Sequence, residues 1–126
     1  MNANSINYRD LITIEGAGAR KLPFPTVPNS NGAGVITAVD ERMKLKEGDR
    51  FTSCFFEKWV AGEISASVMA SALGGARQGV LAEEVILPED GVIPTPASLT
   101  DEEAATLPCA ALTAWHALTL PRQVKA

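Results

Sequence analysis

Histidine and tyrosine occur once each in the 126 residues, as His116 and Tyr8, and cysteine twice, as Cys54 and Cys109. No Cys-x-x-Cys pair exists, so spacing gives no structural zinc site, and nothing calls for a disulfide. Two free thiols far apart in sequence fit a cytosolic, reducing compartment. No apolar run is long enough to span a membrane. The N-terminus lacks the basic flank and apolar stretch of a signal peptide. Clustered lysine and arginine are missing too, and the net charge of −4 argues against a nucleic-acid partner, whose phosphates need such clusters. The one basic grouping, Arg42, Lys44 and Lys46, alternates with Met43 and Leu45 and reads as a solvated strand or loop face. A dinucleotide site needs a strand, a Gly-x-Gly-x-x-Gly turn and a helix in that order. Gly32-Ala33-Gly34 precedes a strand pattern instead, and Gly16-Ala17-Gly18 has no such setting. The chain alone is therefore not expected to bind a dinucleotide cofactor tightly.

What is present fits one ordinary core. Hydrophobic residues make up 46% and charged residues 21%, the balance of a single globular domain over residues 1–126. Ser5 to Ile14 reads as a helical turn or a short strand, and Glu15 to Arg20 as a loop. Pro23, Pro25 and Pro28 exclude a continuous helix there. Strands are predicted over Gly32–Val39, Arg50–Phe56 and loosely over Val80–Leu87, with turns at Lys46–Asp49 and Glu89–Gly91 and an extended exit at Val92-Ile93-Pro94. Ile64, Val68, Met69 and Leu73 recur at helical spacing before Gly74-Gly75, which predicts a short inserted helix. Thr100 with Glu103 forms a capping box, and Asp101, Glu102 and Glu103 suit the positive end of a helix dipole. Pro108 is expected to divide this segment into two helices, the second from about Cys109 to Leu118. The sum is α+β and mainly β: a small β-barrel or sandwich, β-rich over 1–99 with helices over 100–120.

Four segments go further in the order in which they occur: Asn7-Tyr8-Arg9-Asp10; Pro28-Asn29-Ser30-Asn31-Gly32-Ala33-Gly34-Val35; Gly48-Asp49-Arg50; and Leu107-Pro108-Cys109 through Trp115-His116. Together they resemble the GroES-like N-terminal catalytic domain of medium-chain dehydrogenases/reductases, on the zinc-free, quinone oxidoreductase-like branch. The resemblance covers about Ser5 to Ala126 and implies a small GroES-like β-barrel with short helices. It also implies that the Rossmann domain is lacking. Zinc members of that family place a metal ligand at the positions of Asn7, Ser30 and Cys109. One thiol of three does not hold a catalytic zinc, so no metal is expected.

Zinc-free relatives reduce enones, quinones or related carbonyls with NADPH, the cofactor carrying the chemistry. By resemblance, Asn7, Tyr8 and Asp10 line the substrate side, Tyr8 as a hydrogen-bond or proton donor to a carbonyl oxygen. Thr113 lies on the segment that approaches the nicotinamide. Each has a plainer role available: Tyr8 in packing, Asn7 and Asp10 in capping a turn. His116 reads as a packed or solvated histidine, and Cys109 as a small buried residue at a former ligand position. Trp59 with Phe55 and Phe56 reads as core packing or the roof of a pocket.

NADPH is implied by the family only, and no cofactor is expected for this chain by itself. Family members carry strands ahead of the Asn-Tyr-Arg-Asp position, so an open sheet edge is expected here, covered by a symmetric homodimer. Three functions remain open: a truncated relative of an NAD(P)H-dependent oxidoreductase that is not catalytic alone, a small ligand-binding or protein-interaction module, and one half of a split oxidoreductase joined at Leu118–Ala126.

Overall fold

A computed structural model describes residues 1–15 and 25–119. The loop expected at 16–20, Pro23 and the end of the chain beyond residue 119 lie outside them. Four short strands, β1 (Ala3–Ser5), β2 (Asn31–Val35), β3 (Arg50–Ser53) and β4 (Val92–Pro94), form one sheet in the order β1-β2-β3-β4. All three pairings are antiparallel, and one row crosses the sheet from Ala3 to Ala33, Thr52 and Ile93. The link from β2 to β3 closes on the predicted turn. There Asp49 Oδ2 accepts the Lys46 N–H at 2.9 Å while Gly48 takes a φ of 88°.

Among the described residues four α-helices accompany the sheet: α1 (Tyr8–Glu15), α2 (Ala66–Met69), α3 (Asp101–Thr106) and α4 (Leu112–Thr119). The ambiguous Ser5–Ile14 stretch thus contains both the end of a strand and most of a helix, and Glu15 is helical rather than part of a loop. The capping box at α3 is formed in both directions: Glu103 N–H donates to Thr100 Oγ1 at 3.2 Å, and Thr100 N–H to Glu103 Oε2 at 2.9 Å. Pro108 does not break the segment. It sits in a π-helical turn, Leu107–Ala111, near the start of which its missing N–H is tolerated, and α4 follows at once.

Small side chains let α3 lie close to the sheet. Ala104 and Ala105, both fully buried, pack with Ala3 and Ala33, and Leu99 closes the cluster. Arg50 of β3 fastens the start of α3: Nη2 reaches Asp101 Oδ1 at 2.6 Å and the Leu99 carbonyl at 2.8 Å. Three strand expectations need correction. The first two end early, at Val35 and Ser53. Val80–Leu87 forms no strand, although its backbone runs on without a helical turn. Alternating side chains favour a strand, but a strand also needs a neighbour to bond along its length; here Val80 and Leu81 donate to the Asn29 and Pro28 carbonyls, and residues 84–87 bond no backbone among the described residues. The helix expected between Ala61 and Gly79 is a single turn, α2, with Ser65 accepting the Val68 N–H as its cap.

Candidate functional site

The N-terminus of α1 meets the start of β2, and this junction holds Asn7, Tyr8 and Asp10 of the sequence-predicted residues. Asp10, 1% exposed, turns back so that its Oδ2 accepts the Asn7 N–H at 2.8 Å. It thereby caps its own helix and satisfies a donor the helix leaves orphaned. Asn7 Nδ2 donates to Ser30 Oγ at 3.3 Å, and Ser30 Oγ donates to Asn31 Oδ1 at 2.9 Å. Beneath them the buried Ser53 Oγ bonds the Ser30 carbonyl at 3.0 Å and accepts the Gly32 N–H at 2.9 Å. This is a chain of neutral amide and hydroxyl groups running from α1 into the sheet.

Arg9 binds the same unit from the other side. Its Nη2 lies 3.5 Å from Asp10 Oδ1 and donates to the Leu73 carbonyl, while Cζ sits 4.3 Å above the Phe55 ring. Phe55, Phe56 and Trp59 form one aromatic run, with centroids 4.7 Å and 5.6 Å apart along it. Trp59 is half exposed, and its indole N–H donates to the Gly62 carbonyl. Behind β2, Asn29 takes the left-handed region with φ of 69°, backed by Gly74 and Gly79.

Asn7 and Asp10 are therefore brought together; the Asp10 side chain caps the turn, whereas the Asn7 side chain turns to Ser30. Tyr8, between them in sequence, points outward and is 78% exposed. Thr113 lies on α4, exposed, and shares no hydrogen bond with the Asn7 cluster. His116 is solvated on the same helix. Cys109 is half-buried and free in the π-helical turn. Cys54 is also free, and burial pushes its thiol pKa up, so it stays protonated near neutral pH. Arg9, Asn31 and Ser53 were not singled out from sequence. Arg9 sits inside the quoted Asn-Tyr-Arg-Asp quartet, which was the available signal, whereas Ser53 carried none.

The possible metal donors do not suit zinc. Asn7 and Ser30 are neutral and bonded to each other, and among the described residues no three of His, Cys, Asp and Glu gather. Among the described residues the sheet is antiparallel and shows no strand-turn-helix crossover of the nucleotide-binding kind.

The alcohol dehydrogenase GroES-like domain model matches residues 1–97. A zinc-type alcohol dehydrogenase-like protein of Schizosaccharomyces pombe is 41% identical over 94% of this chain and 34% of its own length. The 2-methylene-furan-3-one reductase of Solanum lycopersicum is 38% identical over 79% of this chain and 23% of its own length. A solved structure, a putative alcohol dehydrogenase from Sinorhizobium meliloti, superposes with a TM-score of 0.82 at 43% identity, covering 91% of this chain and 35% of that one. The chain thus spans about a third or less of the proteins it matches. With the matched span and the superposed fold in agreement, the chain belongs to the alcohol dehydrogenase GroES-like domain family of medium-chain dehydrogenases/reductases.

Proposed function

We propose that the chain is the substrate-side domain of a zinc-independent, NAD(P)H-dependent oxidoreductase acting on a quinone, enone or alcohol, and that it is not catalytic alone. The observation that carries this reading is the contrast at α1. Asn7 and Asp10 are locked in place while Tyr8, on the same turn, presents its hydroxyl to solvent. A rigid turn that displays one phenol suits donation of a hydrogen bond to a substrate oxygen. Zinc independence rests on the neutral Asn7–Ser30 pair, which offers no thiolate, imidazole or carboxylate at two of the three ligand positions.

The nucleotide-binding half is proposed to meet α4, where Leu112, Trp115 and Leu118 form an exposed apolar stripe. A separate chain in that place makes this a split oxidoreductase, and Thr113 on the same helix is then its cofactor-facing residue. The free cysteines are compatible with the cytosolic setting proposed for it. Among the described residues no helix is long and apolar enough to cross a membrane. A symmetric homodimer through an exposed sheet edge is part of the same proposal; among the described residues β1 and β4 each pair on one side only.

Titration with NADPH, followed by emission of Trp59 and Trp115, tests the central claim. No saturation at millimolar cofactor is expected from the chain alone. Adding the separately produced nucleotide-binding half of the S. pombe relative is expected to restore both binding and NADPH-dependent reduction of an enone or quinone. Tight binding by the chain alone, or zinc-dependent turnover of the mixture, overturns it.

A further inference from the structure

Between Phe56 and Ala72 the chain leaves the sheet and returns to itself. A bridge pairs these two residues, and the Glu57 N–H donates to the Ser71 carbonyl at 3.3 Å. The Leu73 N–H donates to the Phe55 carbonyl at 3.1 Å, and Arg77 Nε holds the buried Glu57 carboxylate at 3.1 Å. The Lys58 N–H bonds Ser71 Oγ, which in turn donates to the Val68 carbonyl at 2.6 Å. The excursion 57–71 is thus closed at its neck and fixed from within, the build of a compact surface loop. All of these bonds lie within residues 55–77.

The loop turns apolar side chains outward. Trp59, Val60, Ile64 and Met69 are exposed, and its two exposed charges, Lys58 and Glu63, are of opposite sign. Trp59 is the one aromatic ring among these four. Its indole N–H is engaged by the Gly62 carbonyl at 3.0 Å, in a turn where Gly62 takes a φ of 79°, and its ring stands edge to face on Phe56 at 71°. What it leaves to a ligand is apolar ring held in one orientation, a surface on which a planar group lies with little loss of side-chain freedom.

Arg9 connects this loop to the candidate site. The neighbour of Tyr8 on α1, it donates to the Leu73 carbonyl beside the neck and covers the Phe55 ring at 4.3 Å. From that guanidinium the contacts run on through Phe55 and Phe56 to Trp59. One bonded unit therefore carries both α1, with its outward Tyr8, and the loop with Trp59.

We propose, resting on the substrate-side role given above to α1, that Trp59 is a specificity-determining residue: its ring is the wall for a planar apolar substituent of the substrate, while Tyr8 takes the carbonyl oxygen. The substrate class narrows to uncharged aryl enones and fused-ring quinones, because the loop has no net charge to favour an ionic substituent.

The test pairs two enones, benzylideneacetone and 3-penten-2-one, which carries a methyl in place of the phenyl ring. In the chain joined to the nucleotide-binding half of the S. pombe relative, Trp59→Ala is expected to lower kcat/KM for benzylideneacetone by about tenfold or more, chiefly through KM. For 3-penten-2-one the change should stay within about twofold. Trp59→Phe, which keeps a ring, should retain most of the preference, and an unchanged thermal midpoint verifies that both variants fold. An equal effect of Trp59→Ala on the two enones, or none, overturns the proposal and leaves the oxidoreductase reading intact. A parent assembly that reduces neither enone nor a quinone overturns that reading instead, and a binding measurement then decides on Trp59. In NMR spectra of the isotope-labelled chain alone, acetylnaphthalene should move the indole N–H signal of Trp59 saturably and that of Trp115 little, whereas butanone moves neither. A Trp59 signal indifferent to acetylnaphthalene overturns the proposal. So does one moved by the nucleotide-binding half and no longer by acetylnaphthalene in its presence, which makes the occupant that half.

Discussion

Arg50 and Asp101 tie the sheet to the C-terminal helices through a 2.6 Å contact between Nη2 and Oδ1, with Nε adding a second bond at 3.0 Å to the same oxygen. Asn2 Nδ2 donates to the other carboxylate oxygen at 2.7 Å, so one side chain holds β1, β3 and the first turn of α3 together. The alanine cluster beneath can exist only while α3 stays this close. Asp101→Ala is expected to lower the unfolding free energy by about 1–3 kcal/mol, the range for partly buried hydrogen bonds to a charged group. Urea unfolding measures it; a midpoint unchanged from the parent chain refutes the fastening role.

The same carboxylate sets a pH dependence. The Asn2 amide first, and then the Arg50 guanidinium, hold the Asp101 pKa below its ordinary value. A pKa depressed by folding adds stability that is complete above the unfolded-state value. It fades as pH falls through the folded-state value. The parent chain should therefore lose this part of its stability below about pH 4, the ordinary aspartate value. In Asp101→Asn the acid limb of a thermal-midpoint-versus-pH curve should be shallower. Parallel curves for the two chains would contradict the assignment.

Gly79 is the position where the least addition should do the most damage. A Cβ built there falls 2.0 Å from the Pro28 carbonyl oxygen and 2.2 Å from that of Asn29, both backbone atoms. Its own N–H donates to the Val27 carbonyl at 2.7 Å, so the segment has little freedom to retreat. Gly79→Ala should destabilise by about 3 kcal/mol or more, an overpacking cost at the high end because backbone rather than a flexible side chain must move. It should also disturb the Asn29–Asn31 segment that feeds the site. Thermal unfolding and the near-ultraviolet spectrum report the two effects. A stable Gly79→Ala chain would mean that the 28–29 backbone is looser than its contacts imply.

Local rules were legible where the chain satisfies itself. The capping box of Thr100 and Glu103, the turn at Lys46–Asp49 and the Asn7–Asp10 cap were readable because each bond lies within a few residues. What escaped depends on partners far along the chain. Whether Val80–Leu87 is a strand is decided by a neighbour, not by its alternation. Pro108 predicts a break, yet its orphaned position inside a π-helical turn removes the conflict. Ser53 looks like any strand serine until Ser30 and Gly32 arrive from more than twenty residues away. Asn7, Tyr8 and Asp10 were found together only through the family motif. Sequence gave no reason for Asp10 to be inward and Tyr8 outward, a difference set by helix geometry once the cap forms.

Tyr8 separates a catalytic from a structural reading of the site most directly. With 78% of its surface exposed, it contributes little packing, so Tyr8→Phe should change stability by no more than about 0.5 kcal/mol. If its hydroxyl donates to a substrate oxygen, then in the chain joined to the nucleotide-binding half of the S. pombe relative, kcat should fall by about 10²–10⁴, the usual reach of one acid-base group. KM should move far less, because the ring that contacts substrate is retained. Asn7→Ala is expected to behave in the opposite way. It frees Ser30 Oγ and loosens the turn, so both stability and activity decline together. Equal kcat for the parent and Tyr8→Phe, in an assembly that is otherwise active, removes Tyr8 from the mechanism and leaves the α1–β2 junction as a structural clamp.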